Sequence, residues 1–133
     1  MLLAKPEVSQ ELQGLGCQVV VVAQGLRESG LQWKKDYNLP LRLVIDEERK
    51  LYRQFGLRKE VKLVWNLEIF TFYAAKVIAG RTDNMAYDGD DLTVMGGDFI
   101  VKRSGEVVYA RPQESQFDRP KMADFLQCLR KYQ

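Results

Sequence analysis

Two cysteines are the residues of this 133-residue chain that could carry covalent chemistry by type alone. Cys17 opens "CQVVVVAQ", separated by Gln18 from four consecutive valines, and Cys128 lies late in "MADFLQCLRK". A cysteine nucleophile needs its thiolate stabilised by a cation or a helix N-terminus. Cys17 has no basic neighbour in sequence and enters an apolar strand, the setting of an inert packing thiol. Cys128 falls near the C-terminal end of an amphipathic helix, where the dipole opposes a thiolate. Their spacing fits neither a C-x-x-C turn nor a zinc pattern, and two cysteines make no disulfide framework. The chain holds no histidine, so it cannot by itself build a Ser-His-Asp triad, a Cys-His pair or a histidine metal site.

Other candidate chemistry has simpler readings. Gly14 and Gly16 precede the valine strand, and "AQGLRESG" after it lacks the G-x-G-x-x-G spacing that would cradle a pyrophosphate. They read as turn glycines. "DNMAYDGDD" is acidic, but lacks the EF-hand spacing with its glutamate at the twelfth position. Asp46, Glu47 and Glu48 are explained as helix-capping carboxylates. No catalytic, cofactor-binding or metal-binding residue is assigned from the sequence, and no cofactor is expected.

The elements that would position any site follow an α/β order. Pro6 to Leu15 reads as a helix with Val8, Leu12 and Leu15 on one face, ended by Gly16. The β-branched run in "CQVVVVAQ" is apolar on both faces and suits a covered parallel strand. Leu26, Trp33 and Tyr37 form a helical stripe interrupted by Gly30 and closed by Asn38 and Pro40. "LRLVID" is a strand, after which Asp46 starts a helix with Leu51, Tyr52 and Phe55 on its apolar face and Gly56 as its C-cap. Val61 to Gly80 alternates like a strand, yet its length favours a helix, with aromatics in excess of one buried stripe. "GRTDNMAYDGDDLTVMGG" is a loop, and "GDFIVKRSGEVVYARP" is a hairpin turning at Ser104-Gly105. Asp118 to Pro120 opens a last helix carrying Met122, Phe125, Leu126 and Leu129 on one side. This order belongs to an α/β sandwich with a mixed sheet.

Composition bounds the function. Hydrophobic residues make up 46% and charged residues 29%, with 20 Lys+Arg against 18 Asp+Glu. Those values fit one globular domain over residues 1–133 and exclude a basic nucleic-acid surface. "MLLAKPEVSQ" does not read as a secretory leader. Lys62, Asn66, Glu68 and Lys76 interrupt the most apolar window, so no membrane span is expected. A reducing, cytoplasmic setting is the expectation.

Two segments carry a family resemblance. "LPLRLVIDEERKLYRQFGL" (39–57) resembles the strand–Asp–helix–Gly segment of the peroxiredoxins, the alkyl hydroperoxide reductase/thiol-specific antioxidant family, with Asp46, Tyr52, Gly56 and Leu57 on the pattern positions. "YDGDDLTVMGGDFIVKRSGEVVYARP" (87–112) is similar to the branch that includes prostamide/prostaglandin F synthase, through Gly89, Asp90, Gly96, Gly97, Gly105 and Arg111. The resemblance spans roughly residues 7–130. It implies a thioredoxin-like fold, thiol-based peroxide reduction, and a thiol electron donor of thioredoxin or glutathione type. It also implies a central strand and a cysteine turn ahead of the first helix. Neither is found in this sequence, so the resemblance makes the chain N-terminally short and inactive by itself, with Cys17 and Cys128 off the nucleophile's position. That strand would pair with Val19–Val22 and with Phe99–Val101. Two alternatives stand beside this reading: a non-catalytic interaction module that self-associates through residues 61–80 or by strand pairing, and a small nucleotide-binding α/β domain.

Overall fold

Pro6 sets the first turn of helix α1 (Pro6–Gly14), and Gly16, at φ +66°, ends it with a left-handed turn. Leu12 is the most buried side chain of α1 at 1% exposure, and it packs on Phe125 and Leu129. Val8, Leu15, Cys17, Val19, Ile100 and Tyr109 surround this cluster, which joins the two ends of the chain. The computed structural model describes residues 5–61, 67–80, 87–115, 118 and 120–132.

The valine run forms β1 (Val20–Ala23), which pairs in parallel with β2 (Arg42–Ile45) in the register Val21↔Leu43. Helix α2 (Arg27–Asp36) makes the crossover. Its expected stripe is corrected by the structure. Leu26 and Tyr37 are largely exposed, and Gly30 is the buried point of α2. A β-carbon at Gly30 would lie 2.2 Å from Ile45 Cδ1, so the absent side chain lets the helix lie on the strand.

Asp46 caps helix α3 (Lys50–Gln54) from a distance: its two carboxylate oxygens accept the Lys50 N–H at 2.9 Å and the Tyr52 N–H at 3.0 Å. The helix starts later than its acidic prelude implies. Glu47 instead accepts the Arg27 N–H at 3.0 Å, at the head of α2, and Glu48 pairs with Lys50. Gly56, at φ +71°, closes the turn after α3 as its type predicts.

Length prevails over alternation in the aromatic segment, which forms helix α4 (Leu67–Ile78). Ile69 is buried, while Leu67, Phe70, Phe72, Val77 and Ile78 stand exposed. Trp65 lies outside the described residues. The hairpin is β3 (Gly97–Val101) and β4 (Val107–Pro112), antiparallel, with a register shift at Ile100/Val101. Helix α5 (Met122–Lys131) turns Phe125 and Leu129 inward. Asp118 does not open that helix; its carboxylate accepts from Arg111 Nη2 at 2.6 Å and from the Glu114 N–H at 3.1 Å.

The strands do not merge into one mixed sheet. Among the described residues they form two separate pairs, β1–β2 and β3–β4. Both outer edges of each pair are left uncovered by described strands. Among the described residues no helix is long and apolar enough to cross a membrane.

Candidate functional site

The uncovered edge of β1 borders a cleft. The Asp46 N–H donates to the Ala23 carbonyl at 2.8 Å, so that carbonyl faces β2. Successive backbone groups of a strand alternate sides, and the Val22 carbonyl therefore faces away from β2. Tyr52 of α3 reaches it: the phenol donates to Val22 O at 3.2 Å. Burial, and then the charges of Asp46 and Asp90, push the Tyr52 phenol up and keep it protonated. The cleft, about 390 Å³, is lined by Val22, Gln24, Trp33, Tyr52, Asp90 and Met95, among others. Gln24 donates its amide to the Asp91 carbonyl at 2.9 Å. Among the described residues its Oε1 is buried without a hydrogen-bond partner, an arrangement that carries a desolvation cost and marks a position for a donor.

The opposite wall is the 87–95 segment, clamped onto α2. Ser29 donates to the Asp88 carbonyl at 2.8 Å, and Tyr87 donates its phenol to Asp36 at 2.7 Å. That bond pushes the Tyr87 phenol up to about 12. Gly25, at φ +100°, and Gly89, at φ +83°, let the two backbones approach, since a β-carbon on Gly25 would meet Asp90 Oδ1 at 2.7 Å. At the end of this wall Asp91 gathers Arg49 at 3.2 Å and Lys59 at 2.5 Å. The hydrogen bonds from Lys59 and then Thr93 hold its carboxyl well below the usual range. Of the acidic stretch, Asp90 thus accepts the Tyr87 N–H at 3.0 Å and Asp91 neutralises cations. Residues 83–86 of that stretch lie outside the described residues.

Neither cysteine lines the cleft. Cys17 packs on the Leu12–Phe125–Leu129 cluster, and its thiol donates weakly to the Leu15 carbonyl at 3.5 Å. Burial pushes this thiol up, opposite to what a nucleophile needs. Cys128 points its thiol at the Val108 carbonyl at 3.8 Å. Both are free. What the cleft offers is hydrogen bonding, through a neutral phenol, an unpartnered amide oxygen and the outer edge of a strand.

A family model described as AhpC/TSA antioxidant enzyme matches residues 5–115, well over half of the chain. The chain belongs to that family. It is a peroxiredoxin-like family of thiol oxidoreductases, and the mixed α/β architecture is consistent with its thioredoxin-like fold. No curated protein and no solved structure matches the chain.

The family positions noted in the two sequence segments come together in space. Tyr52 from the first and Asp90 from the second line the same cleft. Leu57 from the first lies against Gly97 from the second, where a β-carbon would stand 3.0 Å from Leu57 Cδ2. The Gly96 N–H donates to Gln113 Oε1 at 3.1 Å. Sequence reasoning missed Gln24, Arg49, Lys59 and Asp91. No local pattern marks them, because each acquires its role from a partner far along the chain.

Proposed function

We propose that this chain, as a single domain over residues 1–133, is the scaffold of a peroxiredoxin-like antioxidant of the branch that includes prostamide/prostaglandin F synthase, and that it carries no reactive thiol of its own. The observation behind this reading is Cys17: a thiol packed on the core, donating to a carbonyl and pushed up by burial. The redox turn and its strand would come from outside residues 1–133 and lie along the uncovered edge of β1, where Gln24 Oε1 lacks a donor. The electron donor would be a thiol protein or peptide of thioredoxin or glutathione type, in a reducing, cytoplasmic compartment. A peroxide-reduction assay with a dithiol donor should show this chain no faster than its Cys17→Ser/Cys128→Ser variant. Turnover abolished by Cys17→Ser alone would sink the reading.

The exposed face of α4 supports a second reading, a non-catalytic module that self-associates. Leu67 is 82% exposed and Ile78 is 86% exposed, and contiguous apolar surface of this kind is usually an interface. Light scattering distinguishes the two: a strictly monomeric species counts against the module.

A further inference from the structure

A second cavity, about 250 Å³, opens beside α3 and is lined by Arg49, Tyr52, Arg53, Leu57, Lys59 and Val94. Half of that lining is cationic. One carboxylate serves two of the three cations: Asp91 accepts from Arg49 Nη1 at 3.2 Å and from Lys59 Nζ at 2.5 Å. Two further carboxylates stand near the lining, and their charges reach Tyr52. Asp46 accepts the Lys50 and Tyr52 N–H groups, and Asp90 accepts the Tyr87 N–H. Among the described residues the Arg53 guanidinium has no partner of its own. The lining itself holds three cations and no carboxylate.

The backbone supplies an independent observation. Arg49 holds φ +54°, in the left-handed region that a β-carbon disfavours. Strain at a non-glycine residue tends to collect where a side chain must be aimed. Here it places Arg49 on Asp91 and at the cavity wall. Lys59 is fixed there by the bridge Lys59↔Val94, with the Glu60 N–H on the Thr93 carbonyl at 2.8 Å and the Met95 N–H on the Arg58 carbonyl at 3.1 Å.

We propose that this cavity binds a small phosphoryl group, with Arg53 and Lys59 as direct ligands and Arg49 held between the anion and Asp91. A tetrahedral anion suits a lining of three cations with no carboxylate, and the planar fork of arginine suits its oxygens. The cavity is below the size of drug-sized sites, which restricts the ligand to inorganic phosphate or a small phosphomonoester. The cavity shares Tyr52 and Val94 with the cleft beside β1, and the proposal does not depend on where the reactive cysteine lies.

The test is a titration of the full chain, at constant ionic strength, with inorganic phosphate, glycerol 3-phosphate and acetate, followed by backbone amide NMR shifts and calorimetry. Both phosphates should bind saturably, with the shifts centred on residues 49–59 and 93–95, and acetate far more weakly. Arg53→Ala and Lys59→Gln should each weaken phosphate on the order of fivefold, while Arg53→Lys retains more than Arg53→Ala. Arg103→Ala, on the hairpin turn, should change nothing. Tighter binding of glycerol 3-phosphate than of phosphate would identify a monoester as the ligand, and equal binding would identify phosphate itself. Absence of saturable binding, binding as strong for acetate, or binding unaffected by Arg53→Ala would overturn the proposal. Arg53 and Lys59 are surface side chains, so an unchanged amide spectrum elsewhere verifies that the variants fold.

Discussion

The Tyr52 hydroxyl donates to the Val22 carbonyl at 3.2 Å, across 30 positions of sequence. A helix side chain thereby satisfies a backbone group on the side of β1 that no described strand covers. The bond occupies a carbonyl that β2 does not reach, and it draws α3 over the cleft. Tyr52→Phe keeps the ring and deletes only the donor. The expected loss is about 0.5–1.5 kcal/mol, the net worth of an ordinary hydrogen bond. Chemical denaturation should show it, with faster hydrogen exchange around β1. An unchanged midpoint would mean that water replaces the phenol at no cost.

Gly25 and Gly105 separate two roles of glycine. Both hold positive φ, +100° and +89°, but a β-carbon on Gly25 meets Asp90 Oδ1 at 2.7 Å and one on Gly105 meets nothing within 4 Å. Gly105→Ala should therefore cost only backbone strain, about 1–2 kcal/mol. Gly25→Ala adds displacement of the Asp90 carboxylate, which holds the Tyr87 N–H, and should cost more, on the order of 2–4 kcal/mol. Equal losses from denaturation curves would show that the close approach contributes nothing.

Much of the architecture is legible in the sequence because its signals are local. The valine run, the turn at Gly105 and the glycine after α3 each depend on a few adjacent residues, and each lies where its type predicts. Asp46 is a correct cap for the wrong first residue: "DEER" supplies the carboxylate, but Arg49 adopts φ +54° before the helix begins. Asp118 misleads in the same way, since a capping residue by type is drawn to Arg111 by tertiary contact. The candidate sites were not legible for a different reason. Arg49 and Asp91 meet across 42 positions, and Gln24 meets the Asp91 carbonyl across 67. The bridge at Lys59↔Val94 and the clamp on α2 bring them together. The excess of aromatics in 61–80, by contrast, was readable from composition, and Phe70 and Phe72 remain on the surface.

Asp91 makes stability depend on acid. Its folded carboxyl is held well below the usual range by Lys59 and Thr93. A depressed carboxylate contributes stability that is present above its unfolded pKa, about 3.9, and is lost as pH falls through the folded value. Wild type should thus lose stability progressively below about pH 4, more steeply than Asp91→Asn. At neutral pH the variant should be the less stable of the two, because Arg49 and Lys59 then lack their counter-charge. Denaturation midpoints from pH 3 to pH 6 measure both statements. Parallel curves for the two proteins would remove Asp91 as the acid-sensitive group.

Tyr87 acts at the alkaline end. Its phenol donates to Asp36 at 2.7 Å, and this bond, ahead of all other influences, pushes its pKa up to about 12. A raised folded pKa contributes stability that is present below the unfolded value, about 10, and is lost as pH rises through the folded one. The clamp between the 87–91 segment and α2 should therefore hold through neutral pH and release only in strong alkali. Phenolate absorbance provides the measurement. Between about pH 10 and pH 11, Tyr87→Phe should absorb as much as wild type, because Tyr87 is still protonated there. Asp36→Asn keeps an acceptor but removes the charge, so Tyr87 should then ionise earlier and the absorbance in that window should rise. A Tyr87→Phe protein that absorbs one phenolate less than wild type near pH 10.5 would mean that Tyr87 titrates as an ordinary tyrosine. In that case Ser29 on the Asp88 carbonyl would be left as the side-chain bond clamping the segment to α2.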